Sequence, residues 1–197
     1  MSITRNAINQ SGILKMGGLN AAGVCLEACR RWVRAVLESR LKAGDTVYDI
    51  ISPTSIRELL AAHQKRNKKS EKKIEGLDLQ VTSRTGGGFT KFQGLQTRQD
   101  VIDCVLTVPG AYIYVVDAAK GGGHAFAFNT IDRKHVLFFD PNLGEWLFDD
   151  ENEADMRTWW NDFWQGTHAY FAGKESYKDA YHKGGRELWR YSVPDRI

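Results

Sequence analysis

The sequence is poor in cysteine and has no long apolar run. Its three cysteines are an odd and sparse set, which fits reduced thiols better than a disulfide framework: Cys25, Cys29 and Cys104. No apolar stretch approaches the length of a membrane span. The opening residues, MSITRNAINQ, lack the charged-then-apolar form of a signal peptide. We therefore expect a chain that is made in a cytoplasm and whose export, if any, uses another route.

An excess of one charge sign is also missing. The 27 Lys and Arg residues against 24 Asp and Glu residues leave a formal charge of +3, which does not by itself imply a nucleic-acid partner. The 197 residues are 42% hydrophobic and include six Trp, seven Tyr and nine Phe, enough for one sizeable core. We expect residues 1–197 to form a single domain, in which residues 1–17 are an extended or looped N-terminal lead-in.

Positive charge is concentrated in residues 65–73, KRNKKSEKK. Such a run can bind nucleic acid, an acidic protein surface or anionic lipid. Because no aromatic residues lie between the charges, we favour a solvated loop or helix end over membrane contact through Lys65–Lys73, and we expect no nucleic-acid partner. The Gly-rich tract TGGGF follows, so residues 77–95 are predicted to be mostly loop, and residues 65–94 form a basic and Gly-rich variable segment.

Hydrophobic periodicity places helices first and strands later. Helical spacing extends over Cys25–Leu41, with Glu27 facing water, and Thr97 caps a later helix. A short helix is expected over residues 53–64, and an acidic and then aromatic helix over Glu151–Trp164, with its tryptophans in the core. Strands are predicted at Ala111–Asp117, Thr167–Phe171 and Glu187–Val193. This pattern indicates an α+β fold with an antiparallel sheet.

The stretch Gly121–Phe148 has the pattern of a β-hairpin. The segment HAFAF alternates, TIDRK makes a polar turn, and HVLFF forms an apolar second arm. The turn returns the chain, so His124 and Asp140 are expected at the same end of the hairpin. Cross-strand neighbours lie about 5 Å apart, so this imidazole and this carboxylate can form a hydrogen bond. The following DPNLG is a turn signal, in which Pro141 fixes φ and Gly144 releases it.

Cys25 is expected in the first turn of the N-terminal helix. Unpaired amide N–H groups and the helix dipole favour an anion there. A thiol at such a position has a lowered pKa and is more often the reactive thiolate. Cys29, one turn later, and Cys104, on the apolar face of the Thr97-capped helix, fit core positions better. Cys25 is therefore the candidate nucleophile, and His124 and Asp140 supply the base and the orienting group of a triad.

Two other interpretations use the same residues. Cys25, Cys29 and His124 could hold zinc, but the usual Cys-x-x-Cys pairs and a fourth ligand are missing, so we expect no metal and no cofactor. The hairpin could also be an ordinary one with a His and an Asp at its rim. Among the other imidazoles, His135 starts the second arm, on the far side of the turn from Asp140. The other three histidines have no nearby carboxylate within a recognisable sequence motif: His63, His168 and His182.

Short motifs surround the candidate residues. The chain has GVC at 23–25 with Trp32 downstream, GHA at 123–125 and FDPNLGE at 139–145. These blocks, in the order Cys, His, Asp, resemble the YopT-type cysteine proteases. These proteases are papain-fold effectors that bacterial pathogens and plant symbionts deliver into host cells.

The resemblance implies a papain-like cysteine protease fold, in which an N-terminal helix that carries Cys packs on a C-terminal antiparallel sheet that carries His and Asp. It implies that Cys25, His124 and Asp140 are the catalytic triad and that Asn20 is the oxyanion-hole residue. The chain begins a short way before Cys25, so we expect no longer export, autoprocessing or lipidation segment. Residues 65–94 match no motif of the family, and substrate selection could depend on them.

Three classes of function follow. The leading one is a secreted bacterial effector cysteine protease, which a specialised secretion system delivers, without a cleavable signal peptide, to cleave a protein of a host or competitor cell. The same triad also suits a deamidase or transglutaminase of protein Gln or Asn, because acyl transfer from an amide shares the early steps. The third class is a catalytically idle papain-like binding module. A free protease is hazardous to its producer, so we expect narrow specificity or a cognate immunity or inhibitor protein.

Overall fold

The structure, a computed structural model, describes residues 3–7, 24–37, 58, 88–117, 123–131, 135–149, 153–166 and 185–192. Its helices are α1 (Cys25–Leu37), α2 (Arg98–Thr107) and α3 (Glu153–Gln165). Its strands are β1 (Ile3–Ala7), β2 (Gly88–Lys91), β3 (Ala111–Asp117), β4 (Gly123–Asn129), β5 (His135–Asp140), β6 (Gly144–Asp149) and β7 (Arg186–Ser192). These strands form one antiparallel sheet in the order β1-β6-β5-β4-β3-β7-β2. The expected helix-then-antiparallel-sheet architecture is confirmed.

Helix α1 covers one face of the sheet. Its inward positions are small or apolar and are buried: Cys25, Ala28, Cys29, Trp32 and Val33. Alanines on the strands beneath it let the helix approach closely: Ala111, Ala125 and Ala127. The expectation that Glu27 faces water is wrong. This side chain is 5% exposed, and its carboxylate accepts a hydrogen bond from Arg30 at 3.2 Å, one turn along the helix. Residues 38–41 of the predicted helix lie outside the described residues.

The opposite face of the sheet carries an aromatic core. Alternate residues of β3, β4 and β5 point into it and meet α3, whose tryptophans are buried as the sequence predicts. Its aromatic members are Tyr112, Tyr114, Phe126, Phe128, Phe138, Trp146, Phe148, Trp159, Trp160, Phe163 and Trp164. Phe138 lies edge-on to Trp160, with ring centroids 5.7 Å apart. Such pairs contribute about 0.5–1.5 kcal/mol each beyond their buried area, so this layer holds the sheet rigid behind α1.

The hairpin of β4 and β5 forms as the alternation predicts. Beyond β5, the DPNLG turn leads directly into β6, and the N–H of Leu143 donates to the carbonyl of Asp140 at 3.1 Å. Gly144 has φ +138°, a conformation that side chains with a Cβ rarely adopt. The glycine therefore allows β6 to start immediately after β5 ends, where Asp140 and Gly144 are paired.

Helix α2 begins with the predicted cap. The Thr97 hydroxyl accepts from the N–H of Asp100 at 3.1 Å, and the Asp100 carboxylate accepts from the N–H of Thr97 at 2.7 Å. This reciprocal arrangement is a capping box. Helix α3 and β7 also match their predicted positions within a few residues. Among the described residues, no helix is both long and apolar enough to span a membrane.

The structure also differs from the sequence-based expectations. Residues 88–91 were expected within a mostly looped stretch, yet they form β2, an edge strand that pairs with β7. Residues 3–7, which were expected to be extended or looped, form β1, which pairs with β6. Both strands are short and owe their conformation to distant partners, so local composition does not reveal them. The predictions over residues 53–57, 59–64, 65–73 and 167–171 lie outside the described residues.

Candidate active site

Cys25 is the first residue of α1. The N–H of Ala28 donates to the carbonyl of Val24 at 2.9 Å, which closes the first helical turn and leaves the N–H groups of that turn free of helical acceptors. The Cys25 side chain is 9% exposed, so its environment is the protein rather than bulk water. The backbone N–H groups of Leu26, from the helix, and of Ala125, from β4, both donate to its sulfur. The thiol thus lies where α1 meets the start of β4.

His124 and Asp140 form a buried hydrogen-bonded pair. Nε2 of His124 lies 3.0 Å from Oδ1 of Asp140, and the residues are 3% and 0% exposed. The ladder between the two strands pairs Ala127 with Phe139. If this register continues by one residue, Asp140 lies opposite Phe126. His124, two residues before Phe126, is then the diagonal neighbour of Asp140 on the same face of the sheet. The hairpin brings the two residues together as the sequence predicts.

The turn after β5 holds the carboxylate of Asp140 in place. The N–H of Asn142 donates to the same Oδ1 atom at 2.7 Å. A carboxylate oxygen has the lone pairs to accept both bonds. The Asp140 side chain is therefore fixed from two directions, by the His124 ring and by its own turn. This bond is an Asx-turn, in which an Asp side chain binds the backbone N–H two residues further on.

Charges in this cluster favour a thiolate and an imidazolium. Burial raises the pKa of the Cys25 thiol, but the hydrogen bond and the charge of His124, together with the two backbone N–H groups, outweigh burial and lower that pKa below its usual value. Burial lowers the pKa of His124, but the charge and hydrogen bond of Asp140, with a further contribution from Cys25, raise that pKa to about 10. Between the two pKa values the proton lies on His124 and the negative charge on Cys25.

The other two cysteines have a different environment. Cys29 is fully buried, and burial, the charge of Cys25 and the charge of Asp140 raise the pKa of its thiol well above the usual value. Cys104 is half-buried on α2, and burial raises the pKa of its thiol also. Both residues thus remain neutral thiols in the core or at its edge, as their positions in the sequence predict. Cys25 alone of the three has a lowered pKa.

One aromatic residue beside the site was not among the sequence candidates. The ring of Phe126 lies edge-on to the His124 imidazole, with centroids 4.6 Å apart and planes at 88°. Its position two residues after His124 puts both side chains on one face of β4. That spacing is visible in the sequence, but which side chain contacts the imidazole depends on the packing of the whole aromatic core.

The remaining candidates are not part of this cluster or cannot be placed. His135 begins β5, at the opposite end of that strand from Asp140. Asn20 lies outside the described residues, as do three other histidines: His63, His168 and His182. In the part of the chain that the structure describes, no group of three or more His, Cys, Asp or Glu side chains could hold a metal ion.

The chain is similar to a peptidase family, to a cysteine protease of known sequence and to a solved structure. The family model described as Yersinia/Haemophilus virulence surface antigen, a peptidase family, matches residues 4–176. The cysteine protease YopT of Yersinia pseudotuberculosis is 28% identical, over 75% of this chain and 52% of that protein, so the chain spans about half the length of this relative. The crystal structure of the Pseudomonas avirulence protein AvrPphB is similar with a TM-score of 0.51 and 18% identity, over 87% of this chain and 92% of that one.

The structural similarity establishes the fold, and the family model establishes the family. The AvrPphB match shows a papain-like cysteine protease fold, with α1 packed on the antiparallel sheet. The family match extends over most of the chain and includes the hairpin and the helix that begins at Cys25. The chain belongs to the YopT family of cysteine peptidases.

Proposed function

We propose that this chain is an effector cysteine protease that cleaves a protein of a target cell, and that Cys25, His124 and Asp140 are its catalytic triad. The observation that carries the proposal is the buried contact of 3.0 Å between His124 and Asp140, beside a thiol whose pKa is lowered. A cysteine nucleophile needs both an adjacent base and a group that orients that base. In this proposal Cys25 is the nucleophile, His124 is the adjacent base and Asp140 orients that base.

The proposed reaction is acyl transfer to the thiol. Because Nε2 of His124 faces Asp140, Nδ1 is the ring nitrogen available to Cys25. The imidazole takes the thiol proton, and the thiolate attacks the carbonyl carbon of the scissile peptide bond. His124 then gives the proton to the departing amine. Water attacks the resulting thioester and regenerates the thiol, with His124 again acting as the base.

The negative charge on the carbonyl oxygen needs hydrogen-bond donors. We assign this role to the N–H of Cys25, in the first turn of α1, and to the side-chain amide of Asn20, which precedes the helix by a few residues. The loss of one such donor typically reduces the rate about 10²–10³-fold. A loss of this size in Asn20→Ala would support the assignment, and an unchanged rate would remove Asn20 from the site.

The proposal also covers the domain organisation of the chain and the cell in which the protein acts. Residues 1–197 form one catalytic domain, with residues 1–17 as a lead-in and residues 65–94 as a variable segment that takes part in substrate selection. The names of the matched family and structure refer to virulence and avirulence. We therefore propose that the chain is secreted and delivered into a target cell, where a host or competitor protein is the substrate, and that a cognate immunity or inhibitor protein protects the producer.

Thiol labelling tests the triad. Wild type, Cys25→Ser, His124→Ala and Cys29→Ser would be treated with limiting iodoacetamide near neutral pH, and the modified cysteine located by peptide mass spectrometry. We expect selective labelling of Cys25 in wild type and in Cys29→Ser, and loss of that selectivity in His124→Ala. Equal and slow labelling of Cys25, Cys29 and Cys104 in wild type would contradict the proposal.

Target proteins test the reaction. A lysate of candidate target cells would be incubated with wild type or with Cys25→Ser, and newly formed protein N-termini would be identified by mass spectrometry. We expect new N-termini only with wild type. A mass change of a target protein without chain cleavage, dependent on Cys25, would show deamidation or transglutamination instead and would overturn the assignment as a protease.

A further inference from the structure

Glu145 is a buried carboxylate that the proposed reaction does not use. It lies on β6 and is 3% exposed. Its Oε1 atom accepts a hydrogen bond of 2.8 Å from Nε1 of Trp32, which lies on α1 and is fully buried. A buried carboxylate is costly unless hydrogen bonds compensate for lost water. An apolar residue at position 145 would avoid the cost of burying a carboxylate. We therefore infer that the Trp32–Glu145 bond does more than fill the core.

The two partners connect the two halves of the site. Trp32 lies two turns after Cys25 on the same face of α1, about 10 Å along the helix axis. Glu145 follows Gly144, which is the cross-strand partner of Asp140. The bond therefore joins the helix of the nucleophile to the start of β6, directly after the turn that holds Asp140.

Stacking alone does not fix this geometry. The ring of Trp32 lies flat on Phe139, with centroids 5.5 Å apart and planes at 5°. Phe139 is the cross-strand partner of Glu145, so ring and carboxylate are neighbours beneath α1. Two flat rings resist separation but can slide past each other, because dispersion attraction has little directional preference. A hydrogen bond is directional, so the Trp32–Glu145 bond fixes the position of α1 along and across the sheet.

We propose that Trp32 and Glu145 are positioning residues that hold Cys25 at hydrogen-bonding distance from His124. This inference rests on the proposed function of Cys25 as the nucleophile. In this proposal neither side chain acts on the substrate directly. Their effect is on the position of α1, and hence on the ionisation and reactivity of the thiol at its first residue.

The first test is Trp32→Phe, with Trp189→Phe as the matched control. Both changes keep an aromatic ring in a buried site and remove an indole N–H that donates to a glutamate. In the control the lost bond is the 3.2 Å contact of Trp189 with Glu187, which lies within β7 and does not join α1 to the sheet. The measurement is the rate of Cys25 alkylation by iodoacetamide as a function of pH, together with the melting temperature of each variant.

We expect a clear difference between the two variants. In Trp32→Phe, Cys25 lies farther from His124 while its burial remains, so the pH midpoint of alkylation should rise by about one unit, equivalent to about tenfold less thiolate below the midpoint. Trp189→Phe should keep the wild-type midpoint, whatever its melting temperature. Equal midpoints in wild type and Trp32→Phe, or equal shifts in the two variants, would overturn the inference.

Variants of Glu145 decide the matter even if Trp32→Phe fails to fold. Glu145→Gln keeps an acceptor oxygen and should remain close to wild type, whereas Glu145→Leu should shift the midpoint as Trp32→Phe does. The double variant Trp32→Phe/Glu145→Leu should be shifted no further than Glu145→Leu alone, because a single contact is lost. Equal behaviour of the Gln and Leu variants would contradict a role for the hydrogen bond. Absence of selective Cys25 labelling in wild type would refute the proposed function itself.

Discussion

The imidazole of His124 has the ring of Phe126 as one wall, at 4.6 Å between centroids and with perpendicular planes. Phe126→Leu removes this wall and lets the imidazole rotate. We expect an alkylation rate of Cys25 about tenfold below wild type near neutral pH, in line with the sensitivity of catalytic geometry to small displacements. The folded state should also lose about 1–3 kcal/mol, because the aromatic core loses part of a buried ring.

Phe128→Leu is the control for this change. Phe128 lies on the same face of β4 and packs against Phe138 and Trp160, at 5.0 and 5.4 Å between ring centroids. It should lose comparable stability in chemical denaturation but keep the wild-type alkylation rate. Equal rates in the two variants would show that Phe126 acts on the core alone.

The pH dependence of thiol reactivity should separate the cysteines. Because His124 lowers the pKa of Cys25, its alkylation should have a midpoint below the ordinary thiol value, while Cys29 should stay unreactive until well above that value. In His124→Ala, burial remains and the favourable partner is lost, so the Cys25 midpoint should move above the ordinary value. Mass spectrometry after timed alkylation at a series of pH values measures this for each thiol. A Cys25 midpoint unchanged by His124→Ala would contradict the pairing.

Stability should depend on pH through the same histidine. The folded-state pKa of His124, about 10, exceeds its usual value of 6.5, so the folded protein binds the proton more tightly than the unfolded chain. The resulting stabilisation is complete below the usual value and is lost as pH rises towards the folded-state value. Because ionisation of Cys25 in the folded state would offset this proton, the comparison uses Cys25→Ser and Cys25→Ser/His124→Gln. Denaturant unfolding should show an advantage of Cys25→Ser over the double variant that shrinks as pH rises above 6.5. An advantage that grows with rising pH would contradict this assignment.

The turn after β5 provides a prediction that links backbone conformation to the site. Gly144→Ala forces a Cβ onto a residue with φ +138°, which should cost about 1–3 kcal/mol and displace the turn that holds Asp140. Gly94→Ala is the control, since Gly94 has φ +77° and open space around its Cβ position, before α2 and away from the hairpin. Both variants should melt earlier, but Gly144→Ala alone should slow Cys25 alkylation. Slowing in both would indicate general loosening of the fold.

The parts of the fold that the sequence reveals are those with local signals. The cap at Thr97 and the alternation of β4 come from neighbouring residues, so periodicity and turn chemistry suffice. The same holds for the site: Cys25 at a helix start and the His124–Asp140 pair follow from one helix and one hairpin. Local patterns do not show that the helix of Cys25 packs beside the hairpin of His124 and Asp140. That expectation comes from the resemblance to the YopT-type proteases.

What the sequence does not reveal depends on distant contacts. β2 has a glycine-rich start and becomes a strand because Lys91 pairs with Trp189 on β7. The burial of Glu27 depends on how α1 lies on the sheet, and helical periodicity alone assigns it to water. The contacts of Phe126 with His124 and of Trp32 with Glu145 likewise require the packed faces of the sheet. Such contacts become visible only when the tertiary structure is known.

The pairing of β1 with β6 has a consequence for the timing of folding. Ile3 has its partner in Phe148, so this edge of the sheet closes only after most of the chain has been synthesised. Helix α1 similarly precedes by far the strands on which it rests, and contacts between distant segments form slowly compared with local ones. Cys25 therefore meets His124 late. We expect Cys25 of a nascent or unfolded chain to have an ordinary thiol pKa. The thiol should therefore become reactive only after the chain has folded, with or without a bound inhibitor.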